Sequence, residues 1–184
     1  MKFEIITNRL RLRYWEENDL QHLIELNQDE DVMEYFLHPF SASESSIFYE
    51  RMQNHLRQHQ FSLSVVEHKL TGEWMGYTGC LYANFEAAFT PCVEIGWKFH
   101  KKWWGNGYAT EAANAWLQYG FSELNLSSIY SFTSIHNIRS EAVMKRIGMQ
   151  KIGEFNHPKI TENHYLNRHL IYVINKTAYE HSNL

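Results

Sequence analysis

The sequence has few of the residues that mark several special classes of protein. Its 184 residues include three prolines and two cysteines, Cys80 and Cys92, which are too few for a disulfide framework. No apolar run approaches the roughly 20 residues needed to cross a bilayer. The first residues, Met-Lys-Phe-Glu, lack the apolar core of a secretory signal. These absences predict a cytoplasmic protein without a membrane segment.

The charge balance and the histidines exclude two further classes. The 17 Lys and Arg residues are opposed by 21 Asp and Glu residues, a net charge of −4, whereas a DNA-binding domain usually carries a basic face. His55 and His59 form an i, i+4 pair without a third ligand, so no metal site is predicted. No linker-like or low-complexity tract interrupts the chain, which predicts a single domain over residues 1–184.

The apolar pattern predicts helices and strands in a mixed order. The first third is a strand followed by three helices: one capped by Asn18, a short one over residues 29–36, and one that begins with a capping box of Ser41 and Glu44. A meander of antiparallel strands follows, and then strand, helix, strand, helix and strand. Strands joined by a crossover helix run parallel. The prediction is a mixed α/β (α+β) sheet with helices on both faces.

The most informative segment covers residues 93–121. It begins as an alternating strand, turns through Gly105-Asn106-Gly107 and continues as a helix from Tyr108. The glycines permit backbone angles that a Cβ would block. A helix N-terminus presents free N–H groups and the positive end of the helix dipole. This segment predicts a site for a phosphate-bearing ligand.

Other types of glycine loop fit this segment less well. A nucleotide-triphosphate loop requires a Gly-Lys-Ser/Thr sequence that is missing here. A dinucleotide fingerprint requires a third glycine where Thr110 stands, and it normally opens the first strand–helix unit of its fold. A tight turn without any ligand is the remaining alternative.

Residues 104–112, Trp-Gly-Asn-Gly-Tyr-Ala-Thr-Glu-Ala, resemble the acetyl-CoA-binding segment of the GNAT acetyltransferase superfamily, whose pattern is Arg/Gln-x-x-Gly-x-Gly/Ala. They are most similar to the branch that acetylates ribosomal-protein N-termini (RimJ/RimL-like). Residues 7–13 resemble that branch's opening strand, and residues 137–142 with Gly148-Met149 resemble its second motif. Lys102 stands where the superfamily most often has Arg or Gln. A lysine supplies a cation but cannot bind two phosphate oxygens in one plane.

The resemblance implies a fold and a cofactor. The fold is a GNAT-like mixed, mostly antiparallel sheet flanked by helices, with a parallel, splayed central strand pair. The cofactor is acetyl-CoA, with coenzyme A as product. Backbone groups of the central strand are expected to pair with the pantetheine arm, and N–H groups of the loop with the pyrophosphate. The implied cofactor-binding residues are Trp97, Lys98, Phe99, Lys102, Gly105, Asn106, Gly107, Tyr108, Ala109 and Asn137.

Two residues are implied as catalytic. Glu94, on the central strand, is the candidate general base; the alternative is that it pairs with a cation or orders a water. Ser140 is expected to donate a hydrogen bond to the departing thiolate; the alternative is a first-turn serine that satisfies the backbone. Asn137 is expected to bind the pantetheine, or to cap a helix, or both.

The implied activity is an acetyl-CoA-dependent N-acetyltransferase (acyltransferase), in which a primary amine attacks directly in a ternary complex. A protein or peptide N-terminus is one expected acceptor, and a polyamine or other small amine is the alternative. Asp29, Asp31 and Glu34 favour a cationic acceptor, or they are a solvated helix start. An alternative of another class is a non-catalytic acyl-CoA-binding regulatory module. The expected partners are an amine acceptor, no DNA and no membrane, and the protein is expected to be a monomer or homodimer.

Overall fold

The computed structural model describes residues 3–182. In this part of the chain the strands are β1 Glu4–Ile6, β2 Leu10–Arg13, β3 Leu63–His68, β4 Trp74–Ala83, β5 Cys92–Phe99, β6 Ser128–Ser134, β7 Gln150–Asn156 and β8 Arg168–Asn175. The α-helices are α1 Asp19–Gln28, α2 Ala42–His59, α3 Tyr108–Ser122, α4 Ile138–Arg146 and α5 Lys176–Ser182. A 3-10 turn, Lys101–Trp103, lies between β5 and α3.

The strand pairing is mostly antiparallel. Strands β1, β2, β3 and β4 pair in succession, each antiparallel to the next. Strand β8 pairs antiparallel with both β6 and β7. Strands β5 and β6 pair in parallel, with Glu94 opposite Tyr130. This confirms the mixed, mostly antiparallel α/β sheet with one parallel pair and flanking helices; the splaying of that pair stays a prediction.

The chain forms two compact units, neither of which is continuous in sequence. The first unit holds the described residues up to Leu81 together with Gly96–Trp116, and the second holds Tyr82–Ile95 together with the described residues from Leu117 onwards. Strands β4 and β5 and helix α3 each contribute residues to both units. The assignment of residues 1–184 to one domain stays a prediction.

Apolar faces of α1, α2 and the strands β3 and β4 build the core of the first unit. Leu23, Leu26 and Met52 project from the helices and are buried against Val65 of β3. Full burial of such a side chain contributes roughly 1.5–3 kcal/mol. The buried indole N–H of Trp116 donates a hydrogen bond to the hydroxyl of Ser64 (2.8 Å), so both buried polar groups have a partner.

A group of phenylalanine rings lies in the second unit. The ring of Phe85 packs edge-on against Phe132 (centroids 5.4 Å apart) and stacks on Phe155 of β7 (5.9 Å). Phe89 makes a further edge contact with Phe155 at 4.9 Å. Such offset and edge-to-face pairs are the favoured geometries for aromatic rings. The connection between β4 and β5 is therefore held to β6 and β7 by these rings.

Local predictions for the first third are correct in part. The capping box of Ser41 and Glu44 at the start of α2 is confirmed, with both reciprocal hydrogen bonds present. The predicted helix over residues 29–36 is wrong, because this segment forms turns. The carboxylate of Asp29 accepts hydrogen bonds from the backbone N–H groups of Asp31 and Val32, and such bonds compete with a helix. Asn18 precedes α1 but makes no side-chain cap, because its own backbone is helical.

No helix within residues 3–182 is both long enough and apolar enough to span a bilayer. The C-terminal helix α5 was not predicted from the sequence.

Candidate functional site

The predicted glycine loop is an exposed turn between the 3-10 segment and α3. Gly105 and Gly107 have φ of 77° and 78°, values at which any other residue is strained. No atom lies within 4 Å of the position that a Cβ would take on Gly105. Helix α3 begins directly at Tyr108, and the first N–H groups of a helix have no partner within it. The loop thus presents backbone donors and open space, which fits a phosphate group.

Side chains of the first unit fix the shape of this loop. The amide of Asn106 donates to the carbonyl of Trp104 (2.9 Å), and the indole of Trp104 donates to the carbonyl of Phe99 (2.8 Å). The Asn106 side chain is thus a structural element of the turn. One N–H of this amide is used in the turn, which leaves its second N–H and the backbone N–H of Asn106 as donors for a phosphate.

A network that the sequence did not predict joins the β1–β2 turn to the first turn of α3. The carboxylate of Glu111 accepts from Thr7 Oγ1 (2.6 Å), from the Arg9 backbone N–H (2.9 Å) and from Arg9 Nε (2.6 Å). Burial alone would raise the pKa of Glu111, but the hydrogen bonds from Thr7 and Arg9 and the charge of Arg9 outweigh it and lower that pKa. Glu111 therefore stays ionised and holds Arg9 at the loop.

Arg9 contacts the loop itself as well. Its NH1 group donates to the carbonyl of Asn106 (2.9 Å), and its guanidinium carbon lies 4.3 Å from the centroid of the Tyr108 ring. The Tyr108 ring also meets the indole of Trp103 edge-on at 5.7 Å. The sequence pattern included residues 7–13 and 104–112 separately, but nothing in either stretch indicates that Arg9 and Glu111 pair.

The strand residues expected to carry the pantetheine differ in burial. Phe99 is buried and Trp97 is half-buried. The side chain of Lys98 is also buried, so any contact with a cofactor would come from its backbone groups, and that role stays a prediction. A Cβ on Gly76 of β4 would lie 2.1 Å from the Lys98 carbonyl oxygen, so a glycine is needed there.

The Lys98 ammonium lies in a pocket of aromatic and polar groups. It donates to Asn27 Oδ1 and to Met33 Sδ, both at 3.0 Å, and lies 3.9 Å from the centroid of the Phe36 ring. Burial lowers the pKa of Lys98 to about 7. The oxygen of Asn27 and the ring of Phe36 favour the charged form and act against this effect.

Lys102, the cation expected beside the pyrophosphate, is engaged elsewhere in the first unit. Its ammonium lies 3.2 Å from a carboxylate oxygen of Glu73 and 4.9 Å from the centroid of the Trp103 ring. Both members of the ion pair are exposed, at 59% and 49%. An exposed pair of this kind is weak and can rearrange, so the predicted role of Lys102 stays a prediction.

A cavity of about 770 Å³ lies beside Lys102 in the first unit. Its lining holds the carboxylates of Glu16, Asp19, Glu25, Glu67 and Glu73 and the basic side chains of Arg13 and Lys102. The charge of Arg13 is already matched, because its guanidinium bonds both Asp19 oxygens (2.7 and 2.9 Å) and also Glu67. The cavity is therefore negative overall.

The candidate base and its neighbours belong to the second unit. Glu94 is half-buried on β5 and lies opposite Tyr130 in the parallel pair. Burial, together with the charge of Glu94, raises the pKa of the Cys92 thiol to about 11. Cys80 and Cys92 are both buried, and a thiol with the raised pKa of Cys92 is a poor nucleophile. The role of Glu94 as the general base stays a prediction.

The second motif forms the start of α4. Asn137 Oδ1 accepts from the backbone N–H of Ser140 (3.0 Å), so the predicted helix cap is present. The donor end of the Asn137 amide is then the part suited to a cofactor. The half-buried hydroxyl of Ser140 makes no hydrogen bond with another residue of the described chain, so it does not satisfy the backbone as the alternative supposed.

No group of three or more potential ligands within residues 3–182 is arranged to hold a metal ion. The rings of His55 and His59 have centroids 4.5 Å apart and planes tilted by 48°, and His55 Nδ1 contacts the carbonyl of Phe61 at 2.8 Å. Burial lowers the pKa of His55. The pair packs against the chain beyond α2.

The structure thus has a mixed sheet with one parallel pair, and an exposed glycine loop that leads from β5 into helix α3. Residues 9–150 match the family model described as an acetyltransferase (GNAT) domain. The chain belongs to this family of acetyltransferases, whose members use acetyl-CoA, and is an acetyl-CoA-dependent N-acetyltransferase.

Individual relatives agree with this assignment. An uncharacterized N-acetyltransferase of Bacillus subtilis, YnaD, is 34% identical over 82% of this chain and 85% of its own. The spermidine N(1)-acetyltransferase of Escherichia coli is 27% identical over 86% of this chain and 82% of its own. The crystal structure of a GNAT-family acetyltransferase from Bacillus anthracis superposes with a TM-score of 0.78 at 28% identity, covering 95% of this chain and 99% of that one.

Proposed function

We propose that this acetyltransferase transfers the acetyl group of acetyl-CoA to a primary amine of a small cationic acceptor such as a polyamine. The exposed glycine loop before α3 supports the proposal that acetyl-CoA binds here, since the loop offers backbone N–H groups and a helix N-terminus to the pyrophosphate. Gly105, Gly107 and Ala109 would bind through their backbones, as would Trp97 and Phe99 along the strand. The donor end of Asn137 would bind the pantetheine.

The reaction is a direct attack by the amine nitrogen on the thioester carbonyl carbon. The carbon–sulfur bond breaks, coenzyme A leaves as the thiolate, and the amine gives up one proton. Glu94 would accept that proton, and the Ser140 hydroxyl would donate a hydrogen bond to the sulfur. An alkyl amine with a pKa of about 10.4 is neutral in only about one molecule in 2,500 at pH 7, so a base is needed.

One observation favours a small cationic acceptor. The cavity beside Lys102 is lined by five carboxylates and by Arg13 and Lys102. Both basic side chains already pair with acids of the lining, Arg13 with Asp19 and Glu67 and Lys102 with Glu73, so the acids are in excess. Such a lining attracts a polycation and repels an anion. A sequence relative acetylates spermidine by its name. The acids expected to line the acceptor site are less suitable, since Asp31 pairs with Lys101 (2.7 Å) and Asp29 caps a turn.

A protein or peptide N-terminus is the second candidate acceptor. It is the acceptor implied by the resemblance of residues 7–13 and 104–112 to the branch that modifies ribosomal proteins. An α-amino group with a pKa near 8 is neutral roughly a tenth of the time at pH 7, so it depends less on a base. Dependence on Glu94 therefore distinguishes the two acceptors.

The test combines binding with turnover. Calorimetry is expected to show acetyl-CoA binding, and its absence at millimolar cofactor would refute the assignment. Thiol release is then measured with spermidine and with short peptides. Faster release with spermidine, together with a loss of about 10² or more in kcat/KM for Glu94→Gln, is expected. Faster release with peptides would overturn the proposed acceptor.

Matched variants separate catalysis from folding. Ser140→Ala is expected to lower kcat with little change in cofactor affinity. Glu180→Gln in α5 and Ser122→Ala at the end of α3 change exposed residues of the same types and are expected to keep wild-type rates. Unchanged rates in both Glu94→Gln and Ser140→Ala would remove their catalytic roles. The cytoplasmic location and the monomeric or dimeric state expected from the sequence stay predictions.

A further inference from the structure

Arg9 brings a guanidinium from the turn between β1 and β2 to the glycine loop. Glu111 and Asn106, the residues that accept its side-chain hydrogen bonds, lie 102 and 97 positions further along the chain. The third contact of the guanidinium is the face of the Tyr108 ring. All three partners belong to the loop or to the first turn of α3. Arg9 therefore stands at the place where an anion would meet the helix N-terminus.

The outer edge of this guanidinium is available to a ligand. A guanidinium has five N–H donors, and the bonds to Glu111 and Asn106 use one on Nε and one on NH1. Within residues 3–182, NH2 donates to no acceptor, and the Arg9 side chain is 42% exposed. NH2 lies 3.6 Å from the position that a Cβ would take on Gly107. Both of its N–H groups are thus beside the loop that would hold the phosphate.

The cation that the family pattern places before the loop is a lysine here, and it is engaged on the surface. Lys102 pairs with Glu73 and presents a single ammonium, which cannot bind two phosphate oxygens in one plane. Arg9 has the planar fork that Lys102 lacks, and Glu111 holds it in one orientation. A guanidinium that is already oriented loses less side-chain entropy when it binds an anion.

We propose that Arg9 is a cofactor-binding residue that donates hydrogen bonds from its guanidinium to a phosphate of acetyl-CoA at residues 105–108. Glu111 is a positioning residue in this site, because it acts only through Arg9. The inference rests on the proposed function, since it requires acetyl-CoA at this loop. The phosphate is either in the pyrophosphate or at the 3′ position of the ribose, and both present the same oxyanion chemistry.

The experiment measures the Kd of coenzyme A by calorimetry for the wild type and for Arg9→Gln. Arg11→Gln is the matched control, because Arg11 lies on the same hairpin and pairs with Glu4 and Glu67 away from the loop. A charge-assisted hydrogen bond is worth enough that Arg9→Gln is expected to raise Kd by about tenfold to a hundredfold. Arg11→Gln is expected to stay within about twofold of the wild type. Dephospho-coenzyme A, which lacks the 3′-phosphate, is titrated in parallel. If Arg9→Gln also weakens binding of this ligand, the contact is with the pyrophosphate. If Arg9→Gln weakens binding of coenzyme A only, the contact is with the 3′-phosphate.

Two further measurements separate a direct contact from a structural role. Loss of a phosphate contact reduces the dependence of Kd on salt, so a plot of log Kd against log salt concentration is expected to be shallower for Arg9→Gln than for the wild type. Glu111→Gln keeps the cation but loosens it, so it is expected to weaken binding less and to keep the slope. A Kd for Arg9→Gln within twofold of the wild type, or an unchanged salt slope, would overturn the proposal. A wild type that binds no coenzyme A at all would instead refute the proposed function.

Discussion

Lys98 is the residue whose environment departs furthest from its usual one. A lysine is rarely buried without an acidic partner, and this ammonium has instead an amide oxygen, a thioether and three aromatic rings, those of Phe36, Phe40 and Tyr77. Neutral and aromatic groups stabilise a cation less than a carboxylate does. The lowered pKa of about 7 follows from that imbalance.

Replacement of Lys98 by methionine is expected to change how stability depends on pH. In the folded wild type the pKa is about 7, against 10.5 for the free side chain, so the unfolded chain binds more protons between these values. The contribution of Lys98 is therefore greatest above pH 10.5 and is lost as pH falls toward 7. Urea unfolding at pH 7, 8 and 9 is expected to show stability rising more steeply in the wild type than in Lys98→Met. Parallel curves would show that the folded pKa is not lowered.

At the scale of elements, the N-terminus of helix α2 is stabilised by a capping box formed by Ser41 and Glu44. Ser41 Oγ accepts from the Glu44 backbone N–H (3.2 Å), and the Glu44 carboxylate accepts from the Ser41 backbone N–H (2.8 Å). The bonds that Ser41 donates to the Glu44 carboxylate, from its backbone N–H and from its hydroxyl, lower the pKa of Glu44. The reciprocal arrangement satisfies two backbone donors at once.

Loss of this cap is expected to destabilise the protein by about 1 kcal/mol. Ser41→Ala is compared with Ser46→Ala, which changes a half-buried serine one turn into the same helix. The Ser46 hydroxyl donates to the Ala42 carbonyl (3.0 Å) and caps no helix end. Denaturant unfolding is expected to show a lower midpoint for Ser41→Ala and a midpoint near wild type for Ser46→Ala. Equal effects of the two changes would contradict a special role of the cap.

Strand β4 depends on a glycine at a close backbone contact. Gly76 has φ of 153°, and a Cβ there would lie 2.1 Å from the Lys98 carbonyl oxygen, so β4 and β5 would have to separate. Gly76→Ala is expected to cost at least about 2 kcal/mol. Gly153→Ala in β7 is the control, since no atom lies within 4 Å of its Cβ position. Thermal unfolding that places the two variants at the same midpoint would show that the backbone adapts.

The same elements show what sequence patterns can and cannot predict. The strand–loop–helix around Gly105 and the Ser41 cap were predictable because each is encoded by residues close in the chain. The turns after α1 could not be predicted, because the Asp29 carboxylate suits a helix start and a turn equally well. The pairing of Arg9 with Glu111 could not be predicted either, since two hydrophilic residues 102 positions apart are brought together only by the fold. Burial of Lys98 was also missed, because strand alternation assigns it to a polar face.

At the scale of the whole molecule, several ionisable groups have pKa values shifted in directions that act together. Burial lowers the pKa of His55, His100 and His169, and lowers that of His157 to about 4. The rings of His157 and His169 lie 5.0 Å apart, so protonation of one opposes protonation of the other. Hydrogen bonds to lysine, arginine and tyrosine side chains lower the pKa of the carboxylates of Glu73, Glu141 and Glu154.

These shifts predict two successive losses of stability as the pH falls. Between pH 6.5 and about 4 the unfolded chain protonates its histidines while the folded chain keeps His157 neutral, so the folded state loses stability. Below pH 4.5 the carboxylates add to this loss, because the unfolded chain protonates them first. Unfolding by guanidinium at pH 7, 6 and 5 isolates the histidine contribution. His157→Gln is expected to flatten the dependence of stability on pH in this range, whereas His181→Gln, a change at an exposed residue, is expected to leave it unchanged. Equal slopes in the wild type and both variants would show that the half-buried His157 does not drive the acid sensitivity.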